Sequence, residues 1–78
     1  MTQVILYTRP GCQLCEVVEA TIHRVQQTHP LELVIKNIDD DPEDRRRYAN
    51  AIPVITVNGK EIARYRLRDQ QLIDALEA

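Results

Sequence analysis

Seventy-eight residues suffice for one compact domain and not two, so residues 1–78 are expected to share a single core. With no Trp or Phe, that core must come from Val, Ile and Leu with three Tyr. Ten basic against twelve acidic side chains give a formal charge of −2, which gathers neither phosphate backbones nor anionic lipid; nucleic acid and membrane partners are not expected.

The first apolar run is too short for a secretory h-region, and no stretch approaches the roughly 18 apolar residues of a membrane span. A cytoplasmic monomer is the expectation. Two cysteines are too few for a secreted disulfide scaffold, and in a reducing compartment a close pair more often serves redox chemistry or metal binding.

"QVILYT" is β-branched and apolar, and Arg9-Pro10-Gly11 breaks it, so it reads as a buried strand. From Gln13 to about Thr28, Leu14, Val18, Ile22 and Val25 recur at helical spacing until Pro30 limits the helix. "LELVIKNID" predicts a second strand, with Leu33 and Ile35 on one face and Val34 and Ile38 covering the other.

In "DDPEDRRRYAN", Asp41 can cap a helix with Pro42 at its first position, and the acids precede Arg45, Arg46 and Arg47 as the helix dipole favours. The arginine run therefore reads as a solvated helix face. "VITV" and "KEIARY" flank Asn58-Gly59, a pair suited to a two-residue hairpin turn. Asp69 is expected to start a last helix that packs Leu72, Ile73 and Leu76 inward.

The predicted order is βαβαββα, an α/β sheet with two parallel strands joined through a helix, an added antiparallel hairpin, and helices on both faces. Chemistry is expected where the first strand hands over to the first helix, outside a strand's carboxyl end.

There, "TRPGCQLCE" holds both cysteines, and three readings compete. As a redox pair, Cys12 at the helix start meets unpaired N–H groups and the positive end of the helix dipole, an arrangement that can lower a thiol pKa from about 8.5 to roughly 3.5–7.5. Arg9 can add positive charge, and Glu16 opposes it. Cys15, one turn on and deeper, would then resolve the mixed disulfide formed at Cys12.

A zinc site would need about four ligands from Cys12, Cys15, His23 and His29, yet His23 lies about 12 Å up the helix from Cys15 whereas zinc bonds span about 2 Å. His23 instead suits a surface position near Glu19, and His29 a helix C-terminus. The third reading is two inert buried thiols, against which the βαβ setting argues.

"LYTRPGCQLCE", "IPV" and "VNGKEI" together resemble the glutaredoxin branch of the thioredoxin-fold superfamily, most closely its short members with a P-G-C-x-L-C-E site. The resemblance spans nearly the whole chain. It implies a thioredoxin-like, glutaredoxin-type βαβαββα fold with a four-stranded mixed sheet and three helices, and a thiol–disulfide oxidoreductase in which Cys12 is the nucleophile and Cys15 the resolving thiol. It also implies a cis-proline at Pro53, beside which Ile52 can pair with an extended substrate. Arg9, Gln13, Leu14, Ile52 and Pro53 are the expected substrate-binding residues.

Three departures qualify the resemblance: Gln13-Leu14 between the cysteines, Ile52 before the proline, and no glycine pair after the fourth strand to cradle glutathione. No tightly bound cofactor is expected. Protein disulfides or glutathione mixed disulfides are the expected substrates, with glutathione or thioredoxin as candidate reductant. Tyr7 and Tyr48 read as core with wet hydroxyls. The alternatives are an iron–sulfur cluster module using Cys12 and Cys15 of two chains, and a partner-binding domain without turnover, docking around Leu14 and Pro53.

Overall fold

A computed structural model describes all residues 1–78. The elements are β1 (Gln3–Thr8), α1 (Gln13–Gln26), β2 (Glu32–Asn37), a 3₁₀ turn (Ile38–Asp40), α2 (Pro42–Tyr48), β3 (Val54–Val57), β4 (Lys60–Arg64) and α3 (Asp69–Glu77). The sheet order is β2-β1-β3-β4, with β1 and β2 parallel and the other pairs antiparallel. This is the expected thioredoxin-like arrangement.

The larger core cluster lies on one face, where Val4 and Leu6 of β1 and Ile55 and Val57 of β3 meet Val18, Ile22 and Val25 of α1 and Leu72 of α3. On the opposite face, Tyr7, Ile38, Tyr48, Ala51 and Val54 form a smaller cluster beneath α2. Alternation along β1 produces this division, since successive side chains point to opposite faces of the sheet.

The β3–β4 hairpin turns as its residues demand: Asn58 has φ 49° and Gly59 φ 85°, the left-handed region both tolerate. Asn58 also accepts a bond from the Gln3 N–H through Oδ1 at 3.2 Å, tying the turn to β1. A bulge follows, because Ile55 faces Ala63 while Thr56 faces Glu61, and Ile62 and Ala63 both pack toward the larger cluster. Asp41 caps α2 as expected, its Oδ1 accepting from the Glu43 N–H at 2.8 Å.

Two expectations need correction. Ile35 is 47% exposed although it shares a face with Leu33, which packs on the core; β2 is an edge strand, and the helices leave this end of it uncovered. α1 ends at Gln26, and the residues up to His29 form turns closed by Thr28 and His29 N–H groups on the Val25 carbonyl. α3 starts at Asp69 as expected; Arg68 holds the cap position before it, so the Asp69 side chain is not the cap.

The Asp69 carboxylate instead reaches back to α1, accepting two bonds from Arg24 at 2.7 and 2.8 Å. The hydrogen bonds from Arg24 and its charge hold Asp69 below its usual 3.8. A carboxyl depressed in the folded state adds stability that is present above its unfolded pKa and lost as pH falls through the folded value. Asp69→Asn should therefore lower the melting temperature slightly above about pH 4 and make no difference once wild-type Asp69 is protonated in stronger acid. A difference persisting undiminished at pH 2 would contradict this.

Candidate functional site

β1 ends at Thr8, and the next three residues swing the chain out of the sheet and back into α1. Gly11 makes the swing possible at φ 79°, where a side chain would be strained. Cys12 follows in an extended conformation as the N-cap of α1. Its carbonyl accepts from the Glu16 N–H at 3.2 Å, and its Sγ accepts from the Cys15 N–H at 3.1 Å. The sulfur thus occupies the position in which a Ser or Asp oxygen usually satisfies a free helix donor.

Cys15 lies one turn further along, 3% exposed, and is joined to Cys12 in a disulfide with a Cα–Cα separation of 5.2 Å. Cys12 is the more accessible of the two. The third reading, two inert buried thiols, required both to be buried, whereas Cys12 is only half-buried. In the first turn and a half of α1, Gln13 is exposed, Leu14 is 41% exposed and Val17 63% exposed, so apolar surface is uncovered on the helix that Cys12 caps.

The Ile52-Pro53 bond is cis. Val54 pairs with Tyr7, which places Pro53 next along the ladder, beside Thr8 at the strand end that leads to Cys12. Ile52 lies outside the strands and helices, and its main-chain N–H and C=O have no hydrogen-bond partner within the chain. A half-buried residue with both main-chain groups free is a docking point for an extended segment.

Arg9 is present but committed. Its guanidinium forms a two-pronged pair with Asp39 of the 3₁₀ turn, Nε at 3.1 Å and Nη2 at 3.0 Å, while the Asn37 side chain caps the Asp39 N–H at 2.9 Å. Both partners are substantially exposed, so the pair adds little stability. Its consequence is electrostatic, because Asp39 offsets the charge Arg9 would otherwise lend the cysteine turn.

Tyr7 and Tyr48 pack with ring centroids 4.6 Å apart, on the face opposite α1 and α3. Burial, then the neighbouring Tyr48, pushes the Tyr7 phenol above its usual range, so it stays neutral and serves as packing. His23 faces Glu19 at 3.2 Å, as its spacing predicts. His29 accepts or donates with Thr28 at 2.8 Å beyond the end of α1.

One contributor had no signal in the sequence. Tyr65 takes φ 69°, a region that Gly or Asn normally marks and Tyr does not. Its N–H donates to the Pro53 carbonyl at 2.8 Å and its hydroxyl donates to the Asn50 carbonyl at 2.8 Å. These two bonds offset a left-handed cost of about 1–2 kcal/mol and brace both ends of the loop carrying Ile52.

Sheet order, cis-proline and an N-capping Cys12 paired with Cys15 together define a thioredoxin-fold protein with a C-x-x-C dithiol. Residues 3–77 match the family described as Glutaredoxin-like domain (DUF836), and the chain belongs to that family. A relative in Dictyostelium discoideum, "Glutaredoxin-like protein YDR286C homolog", is 32% identical over 77 residues, covering 91% of this chain and 71% of its own. The solution structure of protein Ne2328 from Nitrosomonas europaea is similar at a TM-score of 0.83 and 29% identity, covering 94% of this chain and 88% of that one. Oxidised mitochondrial thioredoxin 3 from Saccharomyces cerevisiae shares the fold, with a TM-score of 0.72 at 18% identity over 97% of this chain and 76% of that one. Family and cysteine pair together support a thiol–disulfide redox role.

Proposed function

We propose that the protein reduces disulfides in polypeptide or glutathione-mixed substrates, with Cys12 as nucleophile and Cys15 as resolving thiol. The single observation that carries this is the position of the Cys12 sulfur, accessible, capping α1 and accepting the Cys15 N–H at 3.1 Å while Cys15 is buried behind it. Helix donors directed at a sulfur favour its thiolate, the form that attacks.

In the reduced protein the Cys12 thiolate attacks one substrate sulfur, and the other departs as thiolate. Cys15 then displaces the bound sulfur, closing the Cys12–Cys15 disulfide and releasing the second substrate thiol with the Cys15 proton. Two electrons pass from the pair to the substrate. Ile52 and Pro53 align the incoming chain through the main-chain groups of Ile52, and Gln13 and Leu14 form the floor beside Cys12. Arg9, paired with Asp39, lends the turn before Cys12 little net charge.

No resident cofactor takes part; glutathione or a thioredoxin-type dithiol regenerates the pair, in a reducing compartment such as the cytoplasm, with the protein acting as a monomer. Trapping tests the order of events. Cys15→Ser should accumulate a mixed disulfide on Cys12 with a model peptide disulfide, whereas Cys12→Ser should form none. Adduct on Cys15 in the Cys12→Ser protein at a comparable rate would reverse the assignment. Separate turnover assays with glutathione and with thioredoxin as electron donor decide the reductant.

A further inference from the structure

The turn between β4 and α3 holds the most distinctive unclaimed charge in the molecule. β4 ends at Arg64, opposite Val54, the residue after Pro53. Tyr65 then binds the carbonyls of Pro53 and Asn50, while two residues on Leu67 is buried with Val18 of α1 in the larger cluster. Arg68 caps α3, whose first residue Asp69 is bonded to Arg24 of α1. The segment 65–68 is therefore fixed between the cis-proline loop and the helix that begins with the cysteines.

Five of the eight arginines have a carboxylate within 4.0 Å: Arg9, Arg24, Arg46, Arg47 and Arg64. Arg66 and Arg68 have none, and both are exposed on this braced turn. Arg45 on α2 is the third without a partner. The chain as a whole is acidic, so it does not attract anions from a distance. With charges screened over about 8 Å in physiological salt, Arg66 and Arg68 act only on groups already docked along the proline loop.

We propose that Arg66 and Arg68 form a carboxylate-reading lip, which makes the site favour polypeptide disulfides whose cysteine is flanked by acidic residues. This rests on the disulfide-reducing role proposed above. A substrate chain lying along Ile52 would carry its side chains past the β4–α3 turn, and guanidinium forks suit planar carboxylates. The exchange itself is unchanged: the Cys12 thiolate forms the new sulfur bond, one substrate thiolate leaves, and Cys15 closes the pair and releases the second thiol.

The test mixes reduced protein with three peptide disulfides that differ only in flanking Asp, Asn or Lys, at low and high salt, and follows peptide thiol release. Wild type should react about tenfold faster with the Asp than with the Lys peptide at low salt, with the ratio shrinking at high salt. Arg66→Glu with Arg68→Glu should invert the ratio, and each single change should move it part of the way. Arg45→Glu, the same charge change elsewhere, should leave the ratio unaltered.

An Asp-to-Lys ratio that is the same in wild type and the double variant, or is indifferent to salt, overturns the lip. So does a response to the reversal confined to glutathione disulfide, added as a fourth substrate, because the proposed ligand is a polypeptide. Failure of wild type to release thiol even from the Asn peptide would instead overturn the disulfide-reducing role.

Discussion

Cys12→Ser should reduce disulfide-exchange activity by at least about a thousandfold, to the uncatalysed background, while leaving the fold in place. The hydroxyl can still cap α1 by accepting the Cys15 N–H, since serine is among the preferred capping residues, so the helix is not what is lost. What disappears is the only accessible sulfur placed to ionise at the helix start, and removing a nucleophile leaves only the binding contribution to rate. Cys15→Ser should behave differently: a first exchange proceeds, and the protein then stalls as a mixed disulfide that only an added thiol can release. Rapid-mixing kinetics with mass measurement of the adduct separate the two. Equal losses in the first exchange for both variants would remove the division of labour.

Leu6→Ala should destabilise the fold by about 2–5 kcal/mol, a large share of the roughly 5–15 kcal/mol typical of whole domains. Leu6 is fully buried in the larger cluster, at the middle of the strand that pairs with both β2 and β3. Truncation there removes apolar contacts and leaves a cavity that two flanking strands cannot collapse to fill. Ile35→Ala is the matched comparison. It removes a similar volume from a side chain 47% exposed at the sheet edge and should cost well under half as much. Urea unfolding of both variants measures the contrast, and comparable costs would mean that the core is misplaced.

That contrast also marks where the sequence stops being informative. Period-2 spacing correctly put Leu33 and Ile35 on one face, but periodicity says nothing of lateral position in a sheet, and exposure at Ile35 follows from β2 being an edge. Local signals were legible because their causes are local: Asn58-Gly59 makes its turn, Asp41 caps α2, and Cys12 sits where the strand breaks and the helix starts. The cis state of Ile52-Pro53 followed from family resemblance, not from the residues themselves.

Contacts between distant segments were not legible. Nothing near Arg9 points to Asp39, thirty residues away, and nothing near Arg24 points to Asp69. The start of α3 at Asp69 was legible, but its bond to Arg24, 45 residues away, was not, nor was a cap position held by Arg68. Tyr65 was the least visible of all, since its left-handed backbone is sustained by bonds to Pro53 and Asn50 that form only once β4 lies beside β3.

The pH dependence of alkylation of the reduced protein, with the modified cysteine located by mass spectrometry, bears most directly on the site. The Cys15 N–H bonded to the Cys12 sulfur at the positive end of α1 predicts that Cys12 reacts first, with a midpoint below the ordinary thiol value of about 8.5, while Cys15 stays protected until the fold is opened. Equal labelling of both thiols, or a Cys12 midpoint at or above that ordinary value, would contradict the account.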